Sequence, residues 1–228
     1  MKILPAIMPK DLNDLRNKLS LIFDWGGAVQ LDLMDGVYVP EATWPYNGEN
    51  QEEVNKILNE DDGLPYWENF SFEFDLMVKN ASLDLDMYLK LGATRIVFHP
   101  DAEDDKEGFL ERLESLDLYT RDTVKFGVAL RADESIENIR RYIPFVDFVQ
   151  CMGIEKIGFQ GEPFDQRVIQ NIKKVHEEFP DMEISVDGGV NLQNAKSLMD
   201  AGVDRLVVGS AVWKTADPED AIHDFENL

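Results

Sequence analysis

The 228-residue chain carries 45 acidic against 22 basic side chains, a formal charge of −23, which leaves it poorly placed to grip nucleic acid or an acidic membrane by neutralising phosphates. With 44% hydrophobic residues, 13 Phe and 4 Trp, it has apolar material for one substantial core and lies outside the compositions of disordered chains. Cys151 is the sole cysteine, so no intramolecular disulfide forms, and no apolar run approaches the roughly 20 residues that a membrane helix needs.

Short β-rich runs alternate with longer amphipathic segments from end to end, the pattern of repeated βα units on a parallel sheet. A strand is predicted at 2–8 and a helix at 11–22. The next strand, 28–34, leads into a long loop, 35–49, and a helix at 50–59. Strands at 70–78, 94–99 and 125–130 are each followed by a helix, at 81–91, 105–117 and 134–142. A strand at 145–152, a loop at 153–163 and a helix at 164–178 come next. The seventh strand, 182–188, precedes a helix at 191–201 for which Asn191 is the candidate N-cap and Gly202 the left-handed stop. Gly92, in LKLGAT, repeats that helix-ending pattern. A strand at 204–210 and a helix at 216–226 close the chain.

Eight such units average about 28 residues, a length that suits a compact single-domain (β/α)₈ TIM barrel spanning 1–228. An open doubly wound sheet is the alternative. The barrel is preferred because the polar residues that end the strands, Asp32, Asp75, His99, Arg131, Asp187 and Ser210, are spread over most of the chain. A closed barrel gathers all those C-terminal strand ends around one mouth. The two long loops are candidates to cover it.

The period of two in QLDLM puts Gln30, Asp32 and Met34 on one strand face and Leu31 and Leu33 on the other. Asp35-Gly36, just beyond, reads as turn chemistry that shapes the loop. FEFDLMV repeats the design with Asp75 and Met77, and Glu73 is read as out of phase with them. In SVDGG, Asp187 ends a third strand and is followed by Gly188 and Gly189 and then a helix. Paired glycines before a helix let backbone N–H groups approach an anion closely. Gly209 and Ser210 offer the same arrangement one unit later. Barrel enzymes commonly bind phosphate with the loops after strands seven and eight, and these are those loops.

LDLMDGVYVP, FDLMV, IVFHPDA, FGVAL, GFQGEPF, VDGGVN and VVGSAVW, in this order, resemble the ribulose-phosphate 3-epimerase family, and the resemblance covers nearly the whole chain. It implies a ribulose-phosphate-binding (β/α)₈ barrel that interconverts ribulose 5-phosphate and xylulose 5-phosphate. Two aspartates on opposite faces of the substrate would exchange the proton at carbon 3 through an enediolate, beside a divalent metal held by two His and the same two Asp. Residue by residue, Asp32 and Asp187 match the acid/base pair, and inversion requires one group to remove a proton and another to return one to the other face. Met34, Met77 and Met152 match the family's active-site methionines. Gly188, Gly189, Gly209 and Ser210 match its phosphate site, with Gly158 and Gly161 in the loop that closes over it. His99 matches a histidine near the substrate; a hydrogen-bonded barrel histidine is the alternative. His176 and His223 fall on helices and are expected at the surface.

Departures from the pattern change the expected chemistry. Gln30 and Asp75 stand where the family has its two metal-binding histidines. Gln30, Asp32, Asp75 and Asp187 would form an all-oxygen set, which favours magnesium, manganese or calcium over zinc. Without a cation, three converging carboxylates call for a raised pKa or a cationic partner, for which Arg131 is a candidate. Ala6 and Pro9 replace family serines, and the loop Glu155-Lys156-Ile157-Gly158-Phe159 is one residue longer than the family's. The leading expectation is therefore an epimerase-like isomerase acting on a ketose phosphate, with Mg or Mn as cofactor or none. A sugar-phosphate-binding barrel without epimerase activity is the alternative. Related decarboxylases pair a lysine with aspartates at this strand end, and Asp32-Leu33-Met34-Asp35 has none. The expected partner is a phosphorylated sugar, with neither nucleic acid nor membrane, in a cytoplasmic homo-oligomer. The N-terminus, MKILPAIMPKDLNDL, lacks the apolar run and cleavage site of a signal peptide.

Overall fold

The structure, a computed structural model, describes residues 2–48, 51–159 and 161–228. Eight strands form a closed barrel in chain order: β1 (Lys2–Ile7), β2 (Gly27–Met34), β3 (Phe70–Met77), β4 (Ala93–Phe98), β5 (Lys125–Leu130), β6 (Phe148–Met152), β7 (Glu183–Asp187) and β8 (Arg205–Val208). Each of these strands lies within two residues of its expected bounds except β6, which begins three residues late. Asn50, at the expected start of the second helix, Glu49 in the loop before it and Gln160 in GFQGEPF lie outside the described residues.

Two compact units make up the chain, Ala6–Lys125 in one and Met1–Pro5 with Phe126–Leu228 in the other. In the first, β2 and β3 pair in parallel with Gln30 opposite Glu73, Asp32 opposite Asp75 and Met34 opposite Met77. Both strands are buried nearly throughout, as strands covered on both faces must be. The covering helices follow the strands: α1 (Leu12–Ser20), α2 (Gln51–Leu58), α3 (Leu85–Lys90), α4 (Lys106–Glu114) and α5 (Leu118–Thr123). Leu12, Leu15 and Leu19 give α1 its buried stripe, and Asp11 caps it by accepting from the Asp14 N–H.

In the second unit β5, β6, β7 and β8 pair successively in parallel, and β8 pairs with β1 over Lys2–Pro5. Its helices are α6 (Val168–Glu178), α7 (Leu192–Asp200), α8 (Ser210–Trp213) and α9 (Pro218–Glu226). Asn191 caps α7 in a reciprocal box with Asn194, and Gly202 ends it at φ +107°, as the sequence predicts. Gly92 stands at φ +96° after α3.

Three expectations are corrected. The helix expected at 134–142 is replaced by two 3₁₀ turns, Ile136–Asn138 and Ile143–Phe145. Pro144 has no N–H to donate and disfavours the α region for Ile143, while Asn171 donates at 3.1 Å to the carbonyls of both Arg131 and Glu134. The second turn also delays the start of β6. The helix expected at 105–117 stops at Glu114, because Asp117 accepts from the Thr120 N–H at 3.0 Å and starts α5. Glu73 is in phase with Asp75 and Met77: residues two apart share a strand face, and its carboxylate is buried, 2.6 Å from Nε of Arg95.

Candidate active site

In the first unit, the ends of β2, β3 and β4 carry a buried polar group. Gln30 and Asp75 are 0% exposed, Asp32 6% and His99 1%, with Met34 and Met77 buried beside them. Burial on this scale requires partners. The Gln30 Nε2 donates to Asp32 Oδ1 at 2.9 Å, and His99 Nε2 lies 2.8 Å from Asp75 Oδ1. With Asp75 ionised, Nε2 carries the proton and donates. Gln30 thus acts as a hydrogen-bond donor to the aspartate two residues on.

The loop after β2 braces this group. Thr43 Oγ1 donates to the Asp32 carbonyl at 2.8 Å and accepts from the Met34 N–H at 2.9 Å, tying the loop to the strand end. Asp35 shapes the loop as its sequence suggests, accepting from the N–H groups of Val37, Tyr38 and Lys79 at 2.8–2.9 Å. Tyr38 donates its hydroxyl to the Asp101 carboxylate at 2.8 Å, and its ring centroid lies 5.5 Å from that of His99. Thr43, Tyr38 and Asp101 escaped the sequence reading because a loop has no period from which to infer what its side chains face.

In the second unit, Asp187 ends β7 opposite Met152 in register, and Gln150 is fully buried on the same face of β6. The Gln150 Nε2 lies 3.5 Å from Asp187 Oδ2 and 3.8 Å from the Met152 sulfur. Gln150 was legible: it sits two residues before Met152, as Gln30 sits two before Asp32. Gly188 and Gly189 follow at φ +101° and +68°. A β-carbon on Gly189 would stand 2.8 Å from Cα of Phe164, so the backbones approach as only glycine permits. Asn191 and Asn194 both donate to the Gly189 carbonyl at 3.0 Å, which fixes the turn into α7. Gly209 links β8 to α8, which begins at Ser210, and Gly158 and Gly161 both stand at φ +85° in the loop after β6. Arg131 pairs with Asp133 at 3.2 Å. His176 and His223 are exposed on α6 and α9.

Within the first unit, Asp32 and Asp75 each offer a carboxylate oxygen, and these lie within 4.8 Å of one another. These carboxylates could help to hold a metal ion.

The sequence profile of the ribulose-phosphate 3-epimerase family matches residues 2–213. The chain belongs to that family. Among its relatives, the ribulose-phosphate 3-epimerase of Helicobacter pylori strain 26695 is 28% identical, over 100% of this chain and 98% of that protein. The enzyme of the same name from Bacillus subtilis strain 168 is 28% identical, over 99% and 98%. The fold is also that of 3-hexulose-6-phosphate synthase from Salmonella typhimurium, with a TM-score of 0.69 at 15% identity over 100% of this chain and 97% of that one. No helix among the described residues is long and apolar enough to cross a membrane.

Proposed function

We propose that this member of the ribulose-phosphate 3-epimerase family inverts carbon 3 of a ketose phosphate of the ribulose 5-phosphate type, with Asp32 and Asp187 as the acid/base pair. The observation that carries the reading is the family match over residues 2–213, in a chain with an aspartate at the end of β2, Asp32, and another at the end of β7, Asp187. One carboxylate removes the proton from carbon 3, and the C–H electrons pass into the carbonyl at carbon 2 to give an enediolate. The other, protonated, returns a proton to the opposite face as the carbonyl re-forms, so each turnover exchanges the roles of the two groups.

Gln30 orients Asp32 through its 2.9 Å bond, and His99 holds Asp75 at 2.8 Å. Met34, Met77 and Met152 surround the reacting carbons with polarizable, water-excluding surface. Gly158, Gly161, Gly188, Gly189, Gly209 and Ser210 offer backbone N–H groups to the phosphate. A divalent cation held by Asp32, Asp75 and Asp187, magnesium or manganese rather than zinc, would supply charge to stabilise developing negative oxygen.

A second reading, a sugar-phosphate-binding barrel without turnover, is favoured by one observation. Gln30 and Asp75, which stand where the family resemblance expects metal-binding histidines, are hydrogen-bonded to their neighbours Asp32 and His99. Solvent deuterium separates the two. With ribulose 5-phosphate and Mg²⁺ or Mn²⁺ in D₂O, the proposal expects deuterium at carbon 3, slowed about 100-fold or more in Asp32→Asn and in Asp187→Asn. Saturable binding without exchange, with or without metal, would overturn the epimerase reading and leave the binding one.

A further inference from the structure

We infer that Lys214 is the cation that recognises the phosphate end of the substrate, an inference resting on the sugar-phosphate reading above. Lys214 directly follows α8, and its N–H donates to the Ser210 carbonyl at 3.1 Å, so it stands one turn beyond Gly209 and Ser210. Its ammonium reaches the other glycine segment: a β-carbon built on Gly161 would lie 3.0 Å from Lys214 Nζ. Lys214 therefore connects two of the three glycine groups that the phosphate would need, its backbone following one and its ammonium lying beside the other. Gly161 stands at φ +85°, a backbone conformation that glycine adopts readily.

The pairing of nearby cations sharpens the point. Arg167 is held by Asp165 at 2.6 Å and Arg131 by Asp133 at 3.2 Å, both within their own turns. Among the described residues Lys214 has no carboxylate partner, in a chain where acids outnumber bases 45 to 22. A phosphate dianion approaching a protein of charge −23 meets net repulsion. Backbone N–H groups supply direction but no net charge. A lysine ammonium is a point charge that neutralises phosphate from any angle, so it favours phosphorylated over neutral sugars without restricting the chain beyond carbon 3.

The test compares ribulose 5-phosphate with unphosphorylated ribulose by calorimetric titration on the wild type, Lys214→Met and Lys214→Arg. The expected result is about fivefold weaker binding of the phosphate ester by Lys214→Met, restored by Lys214→Arg and shrinking in high salt, with ribulose binding unchanged. Where turnover is measurable, the loss falls on KM and not on kcat. Equal binding of the phosphate ester by wild type and Lys214→Met overturns the assignment, as does an equal loss for ribulose. A wild type that binds no sugar phosphate overturns the parent reading as well, and so is distinguishable from failure of Lys214 alone. The side chain is exposed, so the methionine variant is expected to fold as the wild type does.

Discussion

The turn after β7 can be tested by comparing two glycines that share a backbone conformation and differ in surroundings. Gly189 has φ +68° and Gly26, in the α1–β2 connection, φ +63°. An L-residue in this left-handed region costs about 1 to 2 kcal/mol, so Gly26→Ala and Gly189→Ala lose that amount alike. At Gly26 the added methyl meets nothing closer than the Asn69 carbonyl oxygen at 3.6 Å, an ordinary contact. At Gly189 it meets Phe164 Cα at 2.8 Å and the Phe164 N and Cβ at 3.0 Å, mostly backbone that cannot swing aside. Overpacking of this kind adds about 1 to 3 kcal/mol, so Gly189→Ala loses roughly 2 to 5 kcal/mol in all. Urea unfolding followed by the fluorescence of the four tryptophans measures both variants, and each kcal/mol lowers Tm by about 2 to 4 °C at this length. Equal losses at the two positions would refute the close approach of Gly189 to Phe164, and with it the account of why glycine stands there.

Two further predictions rest on titratable groups. The Cys151 thiol is fully buried in β6, and burial pushes its pKa up to about 12. The native protein at pH 8 is therefore expected to leave an aromatic disulfide reagent untouched while urea-unfolded protein titrates one thiol, and fast labelling of the native state would contradict the burial. His223 has its pKa raised above 6.5 by its hydrogen bond to the Glu226 carboxylate. That contact contributes fully below pH 6.5 and is lost as pH rises through the raised folded value. Proton NMR of the imidazole should give a pKa above 6.5 that falls towards it in Glu226→Gln, and an unmoved titration would remove Glu226 as the cause.

Much of the barrel was legible because period two is a strong signal in a strand buried on both faces: Gln30, Asp32 and Met34 share a face and Leu31 and Leu33 the other, as their spacing dictates. Helix ends were legible where a side chain does the work locally, as at Asn191 and Gly202. The segment 134–142 reads as amphipathic on its own, and its turns are set by Pro144 beyond its end and by Asn171 on a helix some thirty residues later. No window over the segment contains that information. Glu73 was misread against its own parity: residue 73 lies two before 75, and Arg95 gives its carboxylate a buried partner. The aspartates themselves were legible as acids in strands, yet which N–H faces each oxygen follows from register, which no single strand reveals.

Register also explains how this family member carries its departures. Placing a carboxylate at position 75 sets it opposite Asp32 across parallel strands, an arrangement that repels unless each acid gains a donor. Each does, from its own unit: Gln30 serves Asp32 at 2.9 Å, His99 serves Asp75 at 2.8 Å, and Gln150 approaches Asp187 at 3.5 Å. A glutamine at position 30 reaches the aspartate two residues on because both project from the same strand face, and His99 reaches Asp75 from the residue directly after the neighbouring β4. The changes at 30 and 75 therefore belong together. They replace the nitrogen ligands expected there by an amide that steadies one acid and a further acid that an imidazole steadies in turn. What results at the ends of β2 and β3 is a pair of facing carboxylates, each with its own donor, so that two acids stand side by side in a buried place without being left unpaired.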